Sequence, residues 1–256
     1  MPTYGFISLC ALAVAVLLVR RYARIEGLDP GPTTEAIVLT IAVGFFGARL
    51  FEAAINWDRY FGRPGGLKLL LFSTGVFLGG LITAIPFCIY WFRHIGLPVL
   101  QGLDILALTA GVAEGVGRWG CFFSGCCFGT PTDLPWGVTF PELARRMHPG
   151  LPAVPIHPTQ VYMSLNSLVI LGILMLLYRN KRFHGRIISV YVLLYTTTRF
   201  FIELVRGDAD RGFLFGGRLS TSQFLGLLLA ACAALAYAAL HLRHRRLHEP
   251  DWRPAS

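Results

Sequence analysis

Residues 117–136 read GRWGCFFSGCCFGTPTDLPW and set one guanidinium, Arg118, beside three thiols, Cys121, Cys126 and Cys127, in otherwise apolar, glycine-rich sequence. A guanidinium presents a planar fork of donors that matches phosphate oxygens two at a time. A thiol becomes a nucleophile or a metal ligand when its surroundings favour the thiolate. Arg49 and Arg199 fall inside apolar runs, where a charge costs at least ~2.5 kcal/mol and usually marks a function. Arg118, Arg145, Arg146, Arg206 and Arg211 cluster beside or between such runs. Singly, such arginines anchor to headgroups; as a set they suit a phosphate-bearing lipid.

The clustered cysteines admit three chemical readings. One is a disulfide on an oxidising face, which would join Cys121 to Cys126 or Cys127, since adjacent cysteines pair poorly. Another is a nucleophile that forms a covalent intermediate. The third is a metal site with His148 or His157, but C-x4-C-C lacks the usual C-x2-C spacing, so neither metal nor cofactor is assigned. Cys10, Cys88 and Cys232 read as small buried hydrophobes. His94, His184, His241, His244 and His248 lie near basic helix ends and read as solvated, while Asp104 and Glu114 read as partners for backbone or arginine.

The elements that must position these groups are membrane helices. Of the 256 residues 54% are hydrophobic and 14% charged, and the mean hydropathy is +0.57, outside the soluble globular range. A span needs roughly 20 apolar residues. Seven runs qualify: 4–19, 35–55, 69–92, 99–116, 160–178, 187–205 and 219–240. The first has arginines directly after its apolar stretch and no basic region before it, so it reads as a retained helix rather than a signal peptide. An outward N-terminus puts twelve lysines and arginines inside, in tight clusters beside helix ends, against nine in the outer loops, the bias that short cytoplasmic loops show. Residues 1–240 then form one all-α membrane domain, with an outer loop over 117–158 framing a lipid-accessible cavity and a basic cytoplasmic tail over 241–256. The net charge of +9 suits anionic lipid; with no soluble basic domain, nucleic acid is excluded as a partner.

An ordered series of motifs runs along the chain: Tyr4-Gly5-Phe6, Gly47-Ala48-Arg49-Leu50, Phe77-Leu78-Gly79-Gly80-Leu81, Asp104, Gly117-Arg118-Trp119-Gly120, Thr132-Asp133-Leu134-Pro135-Trp136, His157-Pro158-Thr159-Gln160-Val161-Tyr162, Tyr195, Arg199-Phe200-Phe201-Ile202-Glu203 with Arg206, and Ser222-Gln223. Together they resemble the prolipoprotein diacylglyceryl transferase family. The resemblance implies a bacterial inner-membrane enzyme that moves the diacylglyceryl group of phosphatidylglycerol onto a cysteine thiol of a lipoprotein precursor and releases glycerol phosphate. It implies that Arg118 and Arg199 hold the lipid phosphate and stabilise charge on the departing group. Residues i, i+4 and i+7 share a helical face, so Arg199, Glu203 and Arg206 should form one polar stripe with Glu203 orienting the arginines. Tyr4, Arg49, Gly79, Gly80, Tyr195, Arg206, His157 and Gln160 are expected to contact substrate.

The family signature G-R-x-G-N-F-x-N-G-E has Cys121, Ser124 and Cys126 in place of its asparagines and glutamate, and the histidine of its F-H-G-G-L motif is Leu78. The phosphate-binding half is kept and the proton-handling half replaced, so Cys121 and Cys126 join Arg118, Arg199 and Glu203 as candidate catalytic residues. Two other functions compete: a related phospholipid-dependent transferase with another acceptor, and a lipid-binding or thiol-redox membrane protein on the same fold.

Overall fold

A computed structural model describes residues 2–62, 76–148, 150–207 and 212–248, with the side chains of 2–5, 8, 59 and 77 outside the description. The backbone falls into two units, Val19–Gly102 and Met1–Leu18 together with Leu103–Ser256. Its helices are α1 (Pro2–Ile25), α2 (Pro30–Ile55), α3 (Trp57–Tyr60), α4 (Phe77–His94), α5 (Val99–Ser124), α6 (Glu142–Met147), α7 (Thr159–Arg179), α8 (Arg186–Leu204) and α9 (Thr221–His248), with a two-stranded hairpin, β1 (Phe213–Leu214) and β2 (Leu219–Ser220), before α9.

Among the described residues five helices, α2, α5, α7, α8 and α9, are long and apolar enough to cross a membrane. Of the other two expected runs, 4–19 is helical throughout in α1, and 69–92 is helical from Phe77 in α4 with 69–75 outside the described residues. Burial is inverted relative to a soluble protein. On α7, Leu165 and Leu176 are 56% and 64% exposed, whereas Gln160, Ser164 and Ser167 are each 1% exposed. A hydrocarbon surround produces that pattern, because apolar side chains lose nothing by facing lipid and polar ones must find partners inside.

In the unit Val19–Gly102, α2 starts where Asp29 accepts from the Gly31 amide at 2.9 Å and Pro30 takes the first helical position. α2 and α4 then meet along small residues. A Cβ on Gly79 would lie 2.9 Å from the Gly47 carbonyl oxygen, and one on Gly80 3.0 Å from that of Gly44. Close backbone approach of this kind is how helices associate in lipid.

In the other unit α5 runs on to Ser124, two turns past the expected end at 116. Residues 117–124 contain no proline, Arg118 pairs back to Glu114 one turn earlier, and Ser124 Oγ donates to the Gly120 carbonyl at 2.8 Å. Gly125, at φ 78°, stops the helix, so the loop starts there rather than at 117. At the far end of α5, fully buried Asp104 accepts from the amides of Gly185 (2.9 Å) and Ile188 (3.0 Å) and from Lys181 Nζ (3.1 Å). A carboxylate thus caps the start of α8. α9 is opened by a reciprocal capping box: Ser220 N donates to Gln223 Oε1 and Gln223 N to Ser220 Oγ. The helix continues unbroken past 241 to His248.

The loop between α5 and α7 folds over a core of Phe128, Phe140, Ala144, Leu151 and Ile156. Extended pairings of Ile156 with Pro131 and Val138, and of Gly129 with Arg206, replace longer strands. The described residues 150–158 are non-helical, with a turn at Gly150 and a bend at Ala153 and Val154 before Ile156 enters its pairings.

Candidate active site

One carboxylate organises the end of α5. Glu114 Oε1 accepts from Arg118 Nε at 3.2 Å and Nη2 at 2.8 Å, and from the Tyr195 hydroxyl of α8 at 3.0 Å. Its Oε2 accepts from Ser167 of α7 at 3.3 Å. The Arg118 and Glu114 side chains are 21% and 15% exposed. A partly buried guanidinium held by two of its three nitrogens cannot swing away, and its remaining N–H groups are left for another acceptor.

Of the expected stripe only Arg199 and Glu203 lie on α8; the helix ends at Leu204, and Arg206 follows it in the extended pairing with Gly129 while still reaching Glu203. Arg199 is bonded to Glu203 Oε2, and Arg206 Nη1 lies 3.7 Å from the same oxygen. One turn earlier Tyr195 stacks on Tyr191 with centroids 5.7 Å apart. Both Arg118 and Arg199 are within electrostatic reach of Tyr195. Helix α5, helix α8 and the segment just after it therefore bring Arg118, Arg199 and Arg206 to one end of this unit, paired with Glu114 or Glu203.

The cysteine loop is pinned to the same end. Thr159 Oγ1 donates to the Cys127 carbonyl and Gln160 Nε2 to that of Cys126, each at 2.6 Å. Gly129 N donates to the His157 carbonyl (3.1 Å), Thr130 N to that of Val205 (2.9 Å), and Gly207 N to that of Phe128 (3.0 Å). This ladder ties the thiols to the segment that carries Arg206. All six cysteines are free thiols, so no bridge joins Cys121 to Cys126 or Cys127. The Cys121, Cys126 and Cys127 sulfurs lie within 4.8 Å of one another, and among the described residues no histidine completes that group. Hydrogen bonds from the Cys121 and Cys126 thiols push the Cys127 thiol well below its ordinary range, with Arg118 and Arg206 adding to the effect. Bonding to Cys121 and Cys127 holds Cys126 protonated.

The other expected contacts divide. His157 Nδ1 lies 3.2 Å from the Tyr162 hydroxyl, which itself accepts from Trp136 Nε1 at 2.8 Å; Gln160 faces the cysteine loop. Arg49, Gly79 and Gly80 lie in the unit Val19–Gly102, Arg49 with its guanidinium 4.0 Å above the Phe45 ring. The Tyr4 side chain lies outside the described residues. Glu114 partners an arginine as expected, but its further bonds to Tyr195 and Ser167, and the clamp by Thr159, were not foreseen. The i, i+4 spacing of Glu114 and Arg118 was the available signal for the arginine pairing.

A model of the prolipoprotein diacylglyceryl transferase family matches residues 1–239. The chain belongs to that family. It is 32% identical over 230 residues to the phosphatidylglycerol–prolipoprotein diacylglyceryl transferase of Clostridium tetani, covering 88% of each chain. It is 32% identical over 243 residues to the enzyme of that name from Symbiobacterium thermophilum (89% of this chain, 84% of the relative). With that from Chloroflexus aggregans it shares 31% over 259 residues (95% and 85%).

Proposed function

We propose that this family member moves the diacylglyceryl group of phosphatidylglycerol onto the cysteine thiol of a lipoprotein precursor at the outer face of a bacterial inner membrane. The observation that carries the reading is the gathering of Arg118, Arg199 and Arg206, each held by Glu114 or Glu203, at one end of one unit. A phosphodiester bound there meets fixed positive charge in a low-dielectric setting, where it stabilises charge developing on a leaving phosphate. The acceptor sulfur forms a bond to the glyceryl carbon as the bond from that carbon to phosphate oxygen breaks. The electron pair leaves with glycerol phosphate.

The thiol proton needs a destination, because Leu78 stands where the family places histidine. The departing phosphate itself supplies one, since a phosphate monoester has a second pKa near 6. Within the unit that carries the arginines, further substrate contacts are assigned to Arg206, His157 and Gln160. The chain spans the membrane seven times with its N-terminus periplasmic and its C-terminus cytoplasmic. The loop from Gly125 to Pro158 lies on the periplasmic side.

Incubating purified protein with phosphatidylglycerol labelled in its glycerol headgroup and a lipobox peptide tests the activity. Glycerol phosphate should be released in step with peptide lipidation. The cysteine-substituted signature supports a second reading, transfer to another acceptor, which release without peptide lipidation in the presence of membrane extract would favour. No release under either condition would overturn both. Reporter fusions active outside at the N-terminus and inside at the C-terminus test the topology.

A further inference from the structure

The transferase reading uses the arginines and leaves the three thiols without a task. Their placement is constrained. Cys121 sits in the last turn of α5, Gly125 turns the chain at φ 78°, and Cys127 turns it again at φ 58°. A side chain in the left-handed region costs roughly 1–2 kcal/mol, and such a residue persists where its surroundings over-determine it. Here Thr159 and Gln160, each 1% exposed, grip the two cysteine carbonyls. The loop is thereby held with its three sulfurs converging rather than spread along an extended strand.

We infer that Cys121, Cys126 and Cys127 form a three-thiolate site for a thiophilic metal ion of the zinc, cadmium or copper(I) kind. Three sulfurs at ~2.3 Å from a tetrahedral ion stand ~3.8 Å apart, and these three lie within 4.8 Å of one another, a difference that small side-chain rotations close. Thiolate ligands select such ions over magnesium or calcium, which require oxygen. The charge also fits. Three thiolates around a divalent ion carry one net negative charge, and Arg118 and Arg206, while keeping Glu114 and Glu203, both face Cys127 electrostatically. A water completes four-coordination, as in zinc sites with three protein ligands.

The test measures binding without lipid or acceptor peptide, so its outcome is separate from that of the transferase reading. The full chain, purified in detergent, reduced and metal-free, is titrated anaerobically with cadmium chloride. The expected result is one equivalent bound, with a sulfur-to-cadmium charge-transfer band. In the unmutated protein Cys121, Cys126 and Cys127 should be protected from maleimide while exposed Cys10 and Cys232 are labelled as before. C121S, C126S and C127S should each weaken binding by about 100-fold or more, since even outer contacts to a metal site are worth about 10- to 100-fold. Serine at Cys10, Cys88 and Cys232 together should leave binding unchanged. The absence of a saturable band, or protection confined to other cysteines, overturns the site. Because protection is read on the unmutated chain, a serine variant that misfolds does not blur the result.

Discussion

The Tyr195 hydroxyl and the Arg118 guanidinium share one acceptor, Glu114 Oε1, at 3.0 Å and 2.8 Å. Residues on two different helices thus fix a single arginine, which makes Glu114 and Tyr195 positioning residues. Tyr195→Phe removes one hydrogen bond to a charged group, worth ~1.5–3 kcal/mol, and should lower kcat/KM about tenfold to a hundredfold in glycerol phosphate release. Glu114→Gln should cost more. Wild-type kinetics in both variants would remove this oxygen from the account of the site.

Arg118 and Arg199 should not tolerate lysine. An ammonium keeps the charge but loses the planar fork that binds two oxygens together, and losing one preorganised donor at a developing anion costs about 100- to 1,000-fold in kcat. Arg118→Lys and Arg199→Lys are each expected to fall that far while thermal unfolding stays near wild type. Full turnover by either would place phosphate binding elsewhere.

Asp104 stands at the other end of α5 and should matter for stability alone. Its carboxylate is completely buried and holds Lys181 and two amides of α8. Breaking such a buried pair costs ~3–5 kcal/mol. Asp104→Ala should lower the unfolding midpoint and the yield but leave KM unchanged for the molecules that fold. A selective change in KM would contradict the structural role.

The glycines of the loop ladder should be intolerant of alanine. A Cβ on Gly129 would lie 2.4 Å from the His157 carbonyl oxygen, and one on Gly207 2.5 Å from that of Gly129. Either pushes the cysteine loop and the Arg206 segment apart, and a displacement near 1 Å can cost about 100-fold in rate. The measurement is turnover of Gly129→Ala and Gly207→Ala beside their melting curves; normal rates would show that the ladder does not set the site's geometry.

At Cys127 the backbone predicts an inverted preference. With φ at 58°, glycine fits without strain and alanine does not. Cys127→Gly should therefore be more stable than Cys127→Ala by about 1 kcal/mol, as read from denaturant or thermal unfolding. The opposite order would mean that the loop relaxes once its sulfur is gone.

The apolar runs and the spacing that pairs Arg199 with Glu203 on one helix face were readable in the sequence. They are local: helix periodicity and span length depend on residues within a few positions of one another. The extension of α5 to Ser124 was missed because arginine and glycine in a membrane-depth run look like a boundary, and only the pairing of Arg118 with Glu114 shows why the helix continues. The sequence likewise left three thiols with three competing readings, since spacing does not say which way sulfurs point. Tertiary structure decided that they are free and convergent, by bringing Thr159 and Gln160 onto their carbonyls from 32 and 34 positions away. It also decided that Glu114 serves Arg118, Tyr195 and Ser167 together. Contacts between helices so distant in the chain are set by packing, which burial of polar groups away from lipid enforces and no local pattern encodes.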